Sequence, residues 1–369
     1  MGEAKKLILE DGSEYIGEGF GANCEKKVEL VFNTSMVGYQ EIISDPSYTY
    51  QAVVMTYPLI GNYGMCDDDY ETKIPTISGL VVKEYCDFPS NFRSTKTLSQ
   101  VMNDYDIVGI SGLDTRKLTR HIRDFGSCKA MICDANRDTK EVVDELKAWD
   151  YMTDAVSKVS TKEIYDVWPA GGNVIDSKSK TVVAIDCGMK QNIVRSLVKR
   201  GCHVVVVPWN TTAEKIMSFM PDGVFISNGP GDPTDVPETI ATIRELIGKV
   251  PIFGICLGHQ IISLAYGAKT YKLKFGHRGG NHPVKNLKTD KLEITSQNHS
   301  FAVDVDSLKA TKLTATHINL LDNTIEGVEC IEDKVFSVQY HPESAPGPQD
   351  SAYLFDVFMK NMNDHKEGK

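Results

Sequence analysis

No two of the nine cysteines stand in a C-x-x-C pair, and their number is odd. That argues against a disulfide framework and for a reducing compartment in which most thiols are core residues. No apolar run approaches the length needed to cross a bilayer. The N-terminal stretch MGEAKKLILEDG has only a short apolar segment between lysines and acidic residues, so it reads as neither a secretory signal nor an acylation site. There is no G-x-x-x-x-G-K-[ST] loop. Positive charge is short: 40 Lys and Arg against 50 Asp and Glu, a formal net charge of −10. A general binder of nucleic acid or of anionic membranes is therefore not expected. These absences together predict a cytoplasmic protein with no nucleic-acid or membrane partner.

What is present fits two domains, since 369 residues are enough for two buried cores. The expected fold class is α/β: a C-terminal open, mainly parallel sheet with helices on both faces, preceded by an N-terminal β-rich α+β domain. Residues 1–150 carry the β-rich pattern. Asp11-Gly12 sits between two short apolar runs as a hairpin signal. ELVFNTSMVGYQ, QAVVMTYP and ISGLVVKEY read as strands. Two helices follow, one with Asp114 as N-cap and Gly126 past its end, the other with Asp138 and Glu141 in capping-box spacing. Residues 151–180 lose periodicity and read as a linker. From 181 to 369 apolar strands alternate with amphipathic helices, the pattern of a parallel sheet covered on both sides.

The chemistry concentrates in PIFGICLGHQ, residues 251–260. An apolar strand ends in Gly254, then Cys256, then Gly258, then a helix. G-x-C-x-G has the form of a nucleophile elbow with sulfur in place of oxygen. The turn is so tight that its flanking residues must be small, and the nucleophile is expected exposed at the apex. The N–H of Leu257, at the helix N-terminus, is placed to bind an oxyanion, and a helix N-terminus favours a thiolate. A thiolate needs a base. VFSVQYHPES is an apolar strand ending in His341-Pro342-Glu343, and in extended backbone positions i and i+2 point the same way. Glu343 then orients the His341 ring, which completes Cys–His–Glu. A metal is not expected, because no third ligand has suitable spacing. Arg116, Arg120 and Arg123 share one helical face. A solvated surface and a docking surface for a partner fit that face equally well.

GICLGHQ, SNGPGDP and HPE, in this order, resemble the class I (triad) glutamine amidotransferases. VFNTSMVGYQEIISDPSY, TYPLIGNYG, ISGLDTRKLTR and KFGHRGGNHPV resemble the small-subunit family of carbamoyl-phosphate synthases, and this likeness runs nearly end to end. It implies glutamine hydrolysis to glutamate and ammonia. The ammonia would go to a large synthetase subunit that makes carbamoyl phosphate from bicarbonate and ATP. It also implies Cys256 as nucleophile, His341 as base and acid, and Glu343 as orienter. Gly229, Gly231 and Leu257 resemble the backbone groups that hold substrate and oxyanion. Gln260, Asn298, Ser300 and Phe301 resemble further contacts to L-glutamine, and Ser47 one from the N-terminal domain. Ser300 stands where the family often has glycine; a positive φ there would strain it by on the order of 1–2 kcal/mol. No cofactor is expected on this chain, and ATP with Mg2+ is expected on the large subunit. The assembly implied is a heterodimer or a higher assembly of heterodimers. Another class I amidotransferase, a free-standing amide hydrolase and a non-catalytic scaffold are the competing readings.

Overall fold

The computed structural model describes residues 2–169, 179–344 and 346–368. They form two compact units, residues 1–152 with 274–278, and residues 153–273 with 279–369. Of the stretch expected to be a linker, residues 153–169 belong to the second unit and carry a short helix, Ala155–Val159, and a strand, Tyr165–Val167. The Gly/Ser/Lys part of that stretch, residues 170–178, lies outside the described residues.

The first unit is built on a closed seven-stranded barrel. Its order is Ala4–Leu9, Glu14–Gly21, Val108–Ser111, Gly79–Val81, Gln51–Met55, Lys26–Asn33 and Cys128–Asp134, the last pairing with the first. The Asp11-Gly12 turn joins the first two strands, with the Leu9 N–H bonded to the Ser13 carbonyl at 2.9 Å. ELVFNTSMVGYQ is only half a strand, because the chain leaves the barrel after Asn33 and begins a helix at Tyr39. Helices Thr115–Phe125 and Thr139–Ala148 open on Asp114 and Asp138, whose carboxylates accept N–H groups of the first turn. Closure leaves the barrel no unpaired strand edge.

The second unit carries a ten-stranded sheet. Five central strands are parallel, in the order Cys202–Pro208, Lys180–Asp186, Gly223–Ile226, Ile252–Ile255 and Val335–Val338. Their side chains alternate between two cores. Val183 and Ile185 pack with helices Ala213–Met217, Pro237–Leu246 and Leu257–Ala265. Val182 and Ala184 pack on the other face with Gln191–Lys199 and Leu354–Lys366. This half is the parallel, doubly covered sheet read from the sequence. Beyond Val335–Val338 the sheet continues antiparallel through Ile325–Cys330, Thr314–Asn319 and Thr270–Asn286 to Leu292–Val303. Tyr165–Val167 adds an antiparallel strand at the opposite edge. Open parallel sheets place their sites at the carboxyl ends of strands. Here the strands Ile252–Ile255 and Val335–Val338, side by side, end at Cys256 and just before His341. Among the described residues, no helix is long and apolar enough to cross a membrane.

Candidate active site

Cys256 is the N-cap of the helix Leu257–Ala265 and adopts φ +55°, ψ −105°. That lies outside the wells open to a residue with a Cβ, so the backbone is strained by about 1–3 kcal/mol. The flanking glycines explain how the corner is held. A Cβ on Gly258 would sit 2.3 Å from the Ile226 carbonyl oxygen, and one on Gly254 2.8 Å from the Gly258 backbone. Both obstacles are backbone and cannot swing aside. The elbow is fixed further by the Cys256 N–H on the Val338 carbonyl (2.9 Å) and the Gly258 N–H on the Ser227 carbonyl (3.1 Å). One expectation needs correction: the thiol is not exposed at an apex but buried, with Cys256 only 2% exposed. Its sulfur lies 3.5 Å from the Asn298 carbonyl oxygen.

His341 and Glu343 are also buried, and His341 Nδ1 lies 2.6 Å from Glu343 Oε1. The geometry that joins them differs from the one inferred from the sequence. The strand ends at Val338, and residues 341–344 form a turn closed by the Ser344 N–H on the His341 carbonyl at 3.1 Å. Carboxylate and imidazole therefore meet across a turn, not along an extended strand. The His341 N–H anchors this turn to the Ser296 carbonyl at 2.9 Å. Nε2 of His341, on the far side of the ring, is buried with no close hydrogen-bond partner.

Lys190 joins the group, a residue that no motif or spacing singled out. It follows the strand Lys180–Asp186, is 2% exposed, and places Nζ 3.1 Å from Glu343 Oε1 and 2.8 Å from the Ser344 carbonyl. A buried ammonium persists only where it is paired and hydrogen-bonded. The Asp186 carboxylate holds the preceding turn through the N–H groups of Gly188 and Met189. Asn228 Oδ1 accepts the Lys190 N–H at 3.1 Å. Burial pushes the Glu343 carboxyl up, but the Lys190 ammonium and then His341 outweigh it and hold the group below the usual carboxylate range. Burial likewise opposes a charged His341. The Glu343 carboxylate overcomes this, with a smaller contribution from the Cys256 side chain, and the ring is held above its ordinary value. Lys190 acts against that rise.

The remaining residues fall around this centre unevenly. Gly229 packs so closely that a Cβ would meet the Cys187 carbonyl oxygen at 2.2 Å and Leu257 at 2.8 Å, while Gly231 takes φ +87°. Leu257 opens the helix, where N–H groups lack intrahelical acceptors. Gln260, one turn after Cys256, donates to the Phe301 carbonyl (2.8 Å) and to Gln339 Oε1 (3.0 Å), tying the elbow helix to the strand Leu292–Val303. Asn298, Ser300 and Phe301 lie on that strand. Ser300 has no positive φ, so the strain raised by its replacing glycine does not arise. Ser47 belongs to the first unit, buried in a one-turn helix where its N–H meets Asp45 Oδ1 at 2.9 Å.

Comparison with known proteins finds two matching families. Residues 183–361 match the family described as glutamine amidotransferase class-I. Residues 7–132 match the carbamoyl-phosphate synthase small chain, CPSase domain. A carbamoyl phosphate synthase small chain of Fusobacterium nucleatum subsp. nucleatum is 55% identical over 98% of this chain and 99% of its own. This chain belongs to the carbamoyl phosphate synthase small chain family. Another member, from Bacillus caldolyticus, is 52% identical over 99% of this chain and 98% of its own. A relative from Halalkalibacterium halodurans, 53% identical over 98% of both chains, is named a pyrimidine-specific small chain. In this member of the family the amidotransferase match contains the whole buried group of Cys256, His341, Glu343 and Lys190.

Proposed function

We propose that the chain is the glutamine-hydrolysing subunit of a carbamoyl-phosphate synthase and works through a Cys256–His341–Glu343 triad. The observation that carries this reading is the buried, hydrogen-bonded His341–Glu343 pair beside a cysteine held in a strained elbow. Because Glu343 favours the charged ring, His341 is a strong acceptor for the Cys256 proton. The sulfur attacks the carboxamide carbon of glutamine, and charge develops on the amide oxygen. The N–H of Leu257 and those of the Gly229–Gly231 loop stabilise it; one such donor is worth roughly 3–4 kcal/mol in comparable sites. His341 then protonates the leaving nitrogen, ammonia departs, and a glutamyl thioester remains. Water activated by His341 attacks the thioester carbon, releasing glutamate and the thiol. Gln260, Asn298, Ser300 and Phe301 line the glutamine side of this centre.

Ammonia serves as a nucleophile only while unprotonated, and open water near neutral pH would convert most of it to ammonium. The chemistry therefore calls for a sheltered transfer to a partner. That partner is a large synthetase subunit, which holds ATP with Mg2+ and turns bicarbonate and ammonia into carbamoyl phosphate for pyrimidine and arginine synthesis. This chain itself uses no cofactor, works in the cytoplasm, and assembles as a heterodimer or a set of heterodimers.

Glutamate release from glutamine, measured with and without the large subunit, tests the proposal. Weak activity that rises strongly with the partner is expected. Cys256→Ser should lower it by about 10^4-fold or more. Full activity without the partner would favour a free-standing hydrolase. No activity under either condition would leave a scaffold.

A further inference from the structure

Gln339 lies between the strand Val335–Val338 and His341, and it is fully buried. Its backbone N–H is fixed on the Glu326 carbonyl at 2.9 Å. The two ends of its side-chain amide differ. Oε1 accepts an N–H of Gln260 at 3.0 Å, whereas Nε2 is sealed from solvent with no hydrogen-bond partner among the described residues. A buried amide left half unpaired costs stability, and an apolar side chain of similar size would avoid that cost. The side chain of Gln339 therefore contributes through its carbonyl end alone. That carbonyl acts on the elbow helix. Gln260 follows Cys256 by four residues, about 6 Å along the helix axis. A primary amide has two N–H groups. In Gln260 one goes to the Phe301 carbonyl at 2.8 Å and the other to Gln339. One such bond is a pivot about which the amide can swing, and two fix its plane and its sense. Both donors are then spent. Oε1 of Gln260 takes no hydrogen bond among the described residues and is not one of the sealed atoms. What Gln260 offers to a ligand is thus an acceptor.

We propose that Gln339 is a positioning residue that sets the specificity of this site: it locks the Gln260 amide so that Oε1 is free to accept the α-ammonium of L-glutamine. This inference rests on the glutamine-hydrolysing function proposed for the chain. Glutamine carries two N–H-bearing groups. Its carboxamide nitrogen has to leave from Cys256 with a proton from His341, so a clamp on that nitrogen would oppose the reaction. The α-ammonium keeps its protons throughout. The offset of Gln260 along the helix is comparable with the span from carboxamide carbon to α-nitrogen. An ammonium on a carbonyl oxygen makes a charge-assisted hydrogen bond. A site built to pair a substrate N–H discriminates strongly against an analogue that lacks it. A Gln260 amide turned the other way would present N–H groups to that ammonium, so the lock decides between attraction and repulsion.

Two substrates test this on the full chain with the large subunit present: L-glutamine, and 4-carbamoylbutanoate, which is glutamine without its α-amine. The parent should prefer glutamine in kcat/KM by about 10^2-fold or more. Gln339→Met removes the acceptor at nearly constant volume. It should raise KM for glutamine about tenfold, leave kcat within about threefold, and leave kcat/KM for 4-carbamoylbutanoate unchanged, so the preference falls about tenfold. Gln339→Asn, which draws the carbonyl away from Gln260, should do the same and gives the reading if the Met variant does not fold. Gln339→Glu keeps an acceptor oxygen in place and should hold the parent KM within about threefold. An unchanged glutamine KM in the folded Met or Asn variant would overturn the lock. Equal losses on both substrates, or a fall in kcat without a rise in KM, would reduce Gln339 to a packing residue and overturn the specificity role. A parent that releases no glutamate at all is a different result: it removes the proposed function and this inference with it.

Discussion

The two units handle buried charge in opposite ways. In the barrel, Lys5 is buried, but its partner Asp134, 2.5 Å away, is half exposed, so the pair keeps one foot in water. In the second unit Lys190, Glu343 and His341 are all buried together. Desolvating three ionisable groups is costly, and the arrangement survives only because each compensates another. The backbone of the second unit also holds Cys256 outside the ordinary wells, while the barrel closes on an apolar lining of Val28, Leu30, Val54, Val108 and Ile132. The barrel closes on packed apolar side chains, whereas the open sheet holds strain and buried charge together at one corner.

Five substitutions sharpen that contrast. Glu343→Gln should lower glutamine hydrolysis by about 10^3–10^4-fold, because the ring loses its orienting carboxylate. It should also lower the His341 titration midpoint, read by NMR of the ring. Glu343 is the main group that raises His341; without it, burial and Lys190 act downward against only the smaller contribution of the Cys256 side chain. The sign carries over to stability. His341 stabilises fully below its unfolded value near 6.5 and less as pH rises towards its folded one. Glu343 stabilises fully above its unfolded value near 4.5 and less as pH falls. Both contributions should vanish from the pH–stability curve of Glu343→Gln; a curve unchanged from the parent would contradict the pairing.

Lys190→Met comes next. Denaturant unfolding should register a loss of about 3 kcal/mol, since a buried carboxylate is left less compensated. Lys5→Met in the barrel should lose about 1 kcal/mol or less. Equal losses would erase the contrast between the units. In the same Lys190 variant the His341 midpoint should move upward, opposite to the Glu343 variant. Smaller still, Cys256→Gly should abolish hydrolysis yet raise stability by about 1 kcal/mol, because glycine accepts positive φ without strain. A clear drop in stability there would mean the elbow is not strained. Least of all, Arg116→Ala, on an exposed face of the helix Thr115–Phe125, should shift stability by no more than about 0.5 kcal/mol and leave hydrolysis by the isolated chain unchanged.

Legibility in the sequence followed the range of the forces involved. The parallel half of the sheet was readable because each strand is a continuous apolar run followed by an amphipathic helix. The helix caps at Asp114 and Asp138 were readable because capping acts within three residues. The elbow was readable because backbone crowding leaves only glycine at 254 and 258. The antiparallel extension was not, since strands such as Thr270–Asn286 carry mixed burial with no single period. Barrel closure was not either, because the partner of the first strand is Cys128–Asp134, more than a hundred residues away. Lys190 was invisible for a related reason. Its value comes from a carboxylate 153 residues later (343 − 190), and nothing in its own neighbourhood marks a lysine as buried. The His341–Glu343 contact was anticipated through an extended strand, whereas a turn produces it.

The strand Val335–Val338 lies between Ile252–Ile255 and Ile325–Cys330. A ribosome makes Cys256 85 residues before His341 (341 − 256), and the strand beside the elbow only just before that histidine. Until then the elbow strand has an open edge, the Cys256 N–H lacks its Val338 acceptor, and Lys190 has no carboxylate to meet. Growing chains thus leave one sheet edge exposed to stray pairing, and the last strand to arrive closes that gap and completes the buried group in the same event.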